Sequence, residues 1–242
     1  MFLSRKDLIS SMAMANEIIS YLEMCNREGI SLQQGMNFGL GGNHSVILMS
    51  VQPNAPYHDR FEEDGSTLIY EGHDQPRSSQ SPQPKITDQP EFYTGGTLTQ
   101  NGKFHKAAQD YKQGLRPPER VRVYEKLRAG IWSYNGIFHL IDSWQEEADN
   151  RIVFKFKLVA VEGEEDLSRP VISSAARRRI IPTAVKLAVW KRDGGKCTIC
   201  GASDELHFDH VLPFSKGGTS VTEVNVQLLC ARHNLSKSDK II

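Results

Sequence analysis

Two short pairs of metal-seeking residues constrain the end of this chain more tightly than any other feature: Cys197-x-x-Cys200 and, after 29 intervening residues, Cys230-x-x-His233. Together they supply three thiolates and an imidazole, the donor number and type of one closed, tetrahedral zinc site. A site with no open position is structural. It staples a segment of about 60 residues that has too little apolar surface to stabilise itself by burial alone. A redox pair at Cys197 and Cys200 is the other reading of the first knuckle, and it leaves Cys230 and His233 without a task. The fourth cysteine, Cys25, sits beside Leu22 and Met24 in a helical pattern and reads as a small buried hydrophobe.

The chain has 242 residues and a formal net charge of zero. That length suits two domains. The zero hides an asymmetry: residues 166–242 carry 12 Lys+Arg against 7 Asp+Glu, and residues 1–165 carry 17 against 22. A second local basic excess runs from Lys103 to Arg128. Basic tracts suit phosphate contacts through counterion release, and equally suit a solvated charged face. No run of about eighteen apolar residues and no secretory leader pattern is present, so the sequence predicts a cytoplasmic protein with no membrane partner.

Along the chain, apolar positions at Leu8, Met12, Ala15, Ile18, Ile19 and Leu22 predict an amphipathic helix over 7–27, ended by Gly29. Strands are predicted at Val46–Val51, Thr67–Tyr70, Val121–Tyr124, Ile137–Ile141 and Ile152–Leu158, with a helical stretch at Gly102–Tyr111. Gly72–Pro90, rich in Pro, Ser and Gln, predicts a long surface loop. These elements suggest a small, strongly curved sheet or barrel. The expected division is a first domain over 1–165, a linker over 166–179 and a second domain over 180–242.

Between the two knuckles lie Leu206-His207-Phe208-Asp209-His210-Val211-Leu212-Pro213, then Lys216-Gly217-Gly218-Thr219, Asn225, and finally Asn234-x-x-Lys237. This ordered set resembles the HNH nuclease family over nearly all of 186–240. The resemblance implies a zinc-containing ββα-metal fold and hydrolysis of a DNA phosphodiester. It makes His210 the general base that takes a proton from water. It places a catalytic Mg2+ or Mn2+ on Asp209 and Asn234. Asn225 would brace the loop that orients His210, and Lys237 would contact a phosphate unless it is a solvated lysine. Many family members have a fourth cysteine where this chain has His233. That imidazole either completes the zinc site or is the terminal catalytic histidine of the motif. His207 reads as structural.

The earlier part of the chain, through Leu98-Thr99-Gln100-Asn101-Gly102-Lys103-Phe104, Val121-Arg122-Val123-Tyr124, Tyr134-Asn135-Gly136-Ile137-Phe138 and Phe154-Lys155-Phe156-Lys157-Leu158, resembles the SRA (SET- and RING-associated) domain. That implies a PUA-like β-barrel, hence an α+β fold class for the whole, and a pocket that receives a flipped modified cytosine. Tyr57, Asp59 and Tyr70, the last in a Tyr70-Glu71-Gly72 turn, are the candidate pocket residues. The pocket acid stays open among Asp59, Glu62, Glu63 and Asp64.

The two resemblances together imply a modification-dependent restriction endonuclease acting on double-stranded DNA that carries 5-methylcytosine or a relative. One HNH site cuts one strand, so a homodimer is expected for double-strand cleavage. The alternatives are a nuclease with another DNA target and a DNA-binding regulator whose zinc module does not cut.

Overall fold

The computed structural model describes residues 15–77, 83–161, 180–213 and 216–241. The linker expected at 166–179, the start of the expected first helix and the middle of the 72–90 loop lie outside those residues. The fold is α+β. The chain forms two compact units: Met1–Ser31, Tyr124–Gly136 and Arg178–Ile242 make the first, and Leu32–Val123 with Ile137–Arg177 make the second.

Strand β1 (Ile18–Ser20) and helix α1 (Tyr21–Glu28) open the first unit. Of the stretch 7–27 expected to be helical, the described residues 15–20 are not helix and the helix begins at Tyr21. Ser20 is the reason: its hydroxyl accepts from the Glu23 N–H, and the Glu23 carboxylate accepts from the Ser20 N–H, a reciprocal capping box that begins a helix at this point. Gly29, at φ +68°, ends it in the left-handed region as the sequence predicts.

The second unit carries β2 (Met36–Leu40), β3 (His44–Met49), β4 (Arg60–Phe61), β5 (Thr67–Glu71), helix α2 (Gln100–Lys112), β6 (Glu119–Arg128), β7 (Ile131–Ala148) and β8 (Arg151–Ala160). The last residues of β6 and the first of β7 belong to the first unit, where β1 pairs with β7 at Ile131–Ser133. The strand order is β2-β3-β6-β7-β8-β5-β4. Asp149 and Asn150, both at positive φ, make the two-residue turn that folds β7 onto β8. All five residues of β5 are buried. Phe104, Ala107 and Ala108 of α2 are buried as well, with the Phe104 ring edge-on to Phe38 at 5.2 Å and to Phe156 at 5.9 Å.

The first unit continues with α3 (Thr183–Arg192), the hairpin β9 (Leu206–His210) and β10 (Val226–Cys230), and α4 (Ala231–Lys237). In that hairpin Leu229 faces His207, Leu228 faces Phe208 and Val226 faces His210. Ile181, Val185 and Val189 share one core with Leu206, Phe208, Val226, Leu228 and Leu229, and Leu127 joins it from β6. A buried ammonium adds a polar tie: Lys186, fully buried, donates to Glu125 Oε2 at 2.7 Å and Asn135 Oδ1 at 2.6 Å. Such a group is tolerated inside because it is both paired and hydrogen-bonded. Among the described residues no helix is long and apolar enough to cross a membrane.

Candidate functional site

Cys197 and Cys200 lie in the turns between α3 and β9, and Cys230 is the residue where β10 becomes α4. A turn closed by Gly201 N–H to Cys197 C=O and Cys197 N–H to Ala202 C=O aims the first pair of sulfurs at the second knuckle. The four ligand atoms lie within 4.8 Å of one another. His233 Nδ1 is 3.4 Å from Cys197 Sγ and 3.3 Å from Cys230 Sγ, and Cys200 Sγ is 3.9 Å from Cys230 Sγ. A zinc tetrahedron with ordinary bond lengths has S···S edges of about 3.8 Å and S···N edges of about 3.5 Å, so the donor set fits that ion. Burial raises the Cys197 pKa, but the N–H groups of Cys230, Cys200 and Ile199 and the His233 ring overcome it and bring it down to about 6. Cys230 is raised, first by burial and then by the neighbouring thiols. The His233 ring nitrogen is one of the four atoms of this cluster, which could hold a metal ion.

Asp209 and His210 stand at the end of β9. His210 Nε2 is 2.8 Å from the hydroxyl of Ser220, which is buried. Asn225 fastens the intervening loop: its Oδ1 accepts from Leu212 N–H at 2.8 Å, and its Nδ2 donates to the carbonyls of Leu212 at 3.1 Å and Thr219 at 2.9 Å. Gly218 makes that closure possible. A Cβ there would lie 1.8 Å from the Leu212 carbonyl oxygen and 2.8 Å from Asn225 Nδ2. Gly218→Ala is therefore expected to cost about 1–3 kcal/mol, the usual range for overpacking, measured by thermal denaturation. It should also lower any activity that depends on His210, because the loop holding Ser220 has to move.

Asp209 Oδ2 receives two donors, Lys237 Nζ at 3.0 Å and Gln227 Nε2 at 3.2 Å. Lys237 is not placed for the phosphate contact expected of it. Its side chain is 1% exposed, and its ammonium also donates to the His210 carbonyl at 2.6 Å. Asn234 stands on α4 one turn before it. Ser220 and Gln227, both in direct contact with the Asp209-His210 pair, have no counterpart in the sequence reading: Ser220 lies in a polar loop and Gln227 inside an apolar strand, and neither carries a spacing signal. His207 is buried on β9, and burial lowers its pKa, as suits a structural imidazole.

In the second unit a cavity of about 780 Å³ is lined by Tyr57, His73, Asp74, Lys85, Tyr93 and Asn101 among others. Tyr57 is in this wall. Its ring stacks on His73 at 5.0 Å and 11°, and Lys85 Nζ lies 4.0 Å from its centroid. The other two expected pocket residues sit behind the wall. Tyr70 is buried in β5 and its hydroxyl bonds His73 Nε2 at 2.8 Å. Asp59 accepts from the Ser50 N–H at 3.0 Å and the Glu71 N–H at 3.1 Å, and burial pushes its pKa up to about 7 against those hydrogen bonds. Asp64 is spent on the turn at Ser66 and Thr67, and Glu62 pairs with Arg60. The acid in the cavity wall is Asp74, bound to Arg151 and Lys85. His73 is the residue that sequence reasoning missed. Burial brings its pKa down to about 4, so it is a neutral ring at physiological pH, and Asn101 clamps its backbone through both N–H and C=O.

The basic run from Lys103 to Arg128 is partly neutralised by its own neighbours, with Lys106 on Asp110, Lys112 on Asp142 and Arg116 on Glu119.

Residues 197–240 match the HNH endonuclease family. The chain is similar to two Arabidopsis thaliana proteins, histone-lysine N-methyltransferase family members SUVH2 and SUVH9. It is 24% identical to SUVH2 over 213 residues, covering 78% of this chain and 31% of that protein. It is 24% identical to SUVH9 over 160 residues, covering 64% and 23%. The chain thus spans under a third of either relative. Among solved structures, the SRA domain of SUVH5 in complex with hemi-methylated CG DNA is 20% identical, covering 65% of this chain and 94% of that one, with a TM-score of 0.45.

Proposed function

We propose that this protein is a modification-dependent DNA endonuclease, in which an SRA-like unit captures a modified cytosine and an HNH unit hydrolyses the backbone nearby. The observation that carries the nuclease half is the coincidence of the HNH match at 197–240 with a zinc-type ligand cluster, a ββα element and a loop fastened around His210.

In this reading His210 removes a proton from water, leaving a hydroxide to attack phosphorus in line. The Ser220 hydroxyl, 2.8 Å from Nε2, holds the ring in place. A hard cation such as Mg2+ or Mn2+, held by Asp209 and Asn234, would supply charge stabilisation at the leaving oxygen. Asn225 and Gly218 keep the loop closed so that the ring stays aimed. One such site cuts one strand, and double-strand scission calls for two copies of the chain.

The base-reading half is supported by the aromatic cavity. A flipped base needs a flat apolar face to stack on, and Tyr57, backed by the clamped His73 ring, would offer one once the Lys85 ammonium over its ring moves aside. Asp74, in the wall beside it, supplies a carboxylate to which an exocyclic amine can donate. Asp59 and Tyr70 support that wall from behind.

The test is cleavage of one duplex sequence prepared with and without 5-methylcytosine, in Mg2+ or Mn2+. Cutting confined to the modified duplex is expected. Equal cutting of both would remove the base-reading claim and keep the nuclease, whereas modified-DNA binding without any cutting would identify a regulator.

A further inference from the structure

A surface helix as short as α4 would normally hold a lysine at its last turn in solvent, yet Lys237 is turned inward to 1% exposure. A buried ammonium persists where it finds an opposite charge and hydrogen-bond acceptors. Lys237 finds both at the point where the cation of the proposed reaction would bind: Asp209 Oδ2 at 3.0 Å and the His210 carbonyl at 2.6 Å. Gln227 Nε2 approaches the same carboxylate oxygen at 3.2 Å. The carboxylate is thus already neutralised, and one of its oxygens is occupied by donors on two sides.

We propose that Lys237 is a resident counter-charge for Asp209, which a divalent cation must displace or share, and that it sets how weakly the protein alone holds that cation. The inference rests on the reading of Asp209 as a cation ligand. A dication on this carboxylate comes within a few ångströms of an ammonium, and in a poorly solvated place like charges at that range repel strongly. A DNA phosphate entering the site brings negative charge that offsets the repulsion between the cation and the buried ammonium. The cation is therefore held poorly by the free protein and well with DNA present.

The experiment is a Mn2+ titration of the zinc-loaded full chain, wild type against Lys237→Met, reading free Mn2+ by electron paramagnetic resonance. Methionine keeps the length and removes the charge. Affinity is expected to rise by about tenfold or more in the variant. Equal or weaker binding by a folded, zinc-replete Lys237→Met protein overturns the proposal. If the variant does not fold, the wild type decides alone through the Lys237 ammonium resonance during Mg2+ addition: a shift in step with saturation is expected, and an unmoved signal while Mg2+ binds is fatal. If neither ion binds to either protein, the assignment of Asp209 as a cation ligand fails first, and this inference falls with it.

Discussion

Cys230→Ser is expected to abolish stoichiometric zinc binding and to unfold the hairpin and helix that carry Asp209, His210 and Asn234. Cys230 closes three structures at once. It is the last residue of β10, opposite Leu206, it is the residue from which α4 starts, and its sulfur is a ligand atom of the cluster. A structural zinc contributes on the order of 10–16 kcal/mol of apparent binding free energy at neutral pH, comparable to or larger than the whole stability of an ordinary domain. The apolar core of the first unit offsets a part of the loss, since each fully buried Leu, Val or Phe contributes about 1.5–3 kcal/mol. That core, however, is drawn from segments the metal holds in register, Leu206 and Leu229 among them. The measurement is metal content by mass spectrometry together with thermal denaturation, before and after a zinc chelator. Loss of zinc with an unchanged unfolding transition would show that the core suffices and the cluster does not staple it.

The legible parts of the sequence were those in which chemistry imposes spacing. Cys197, Cys200, Cys230 and His233 must converge on one ion, so their intervals survive any loop between them. Asp209, His210 and Asn225 belong to an ordered motif and come out on one strand and its closing loop. The strands over 119–128 and 151–160 showed in their β-branched and aromatic patterns, although their ends ran longer than the apolar runs because Glu119 and Arg151 are buried in ion pairs that no hydropathy pattern reveals. Polar residues satisfied by distant partners were illegible for the same reason. Lys237 looked like a surface lysine, and its burial follows from Asp209, 28 positions earlier in the chain. At the aromatic cavity, the resemblance implies Tyr57, Asp59 and Tyr70 as the pocket residues. The structure uses Tyr70 as a support and His73 as the ring against Tyr57, since residues of one strand alternate faces and β5 is buried on both.

His210→Ala should lower cleavage by about 10²–10⁴-fold, the span attributed to a positioned general base, while DNA binding and zinc content stay as in the wild type. The variant is a clean test because the backbone around residue 210 is held by other groups. The loop beside it is held by Asn225 through the Leu212 and Thr219 backbone, and α4 is tied to β9 through the carbonyl of residue 210, which alanine keeps. The substitution removes the ring, and with it the contact to Ser220. Rates should be read in single turnover, so that slow product release does not mask the chemical step. A variant that binds the modified duplex and cuts at the wild-type rate would show that another group takes the proton from water. A variant that loses binding and zinc together would report a collapsed fold, and Ser220→Ala would then decide: it spares the imidazole while removing the hydroxyl that positions it, and a fall in cleavage with binding and zinc retained would still place His210 in the reaction.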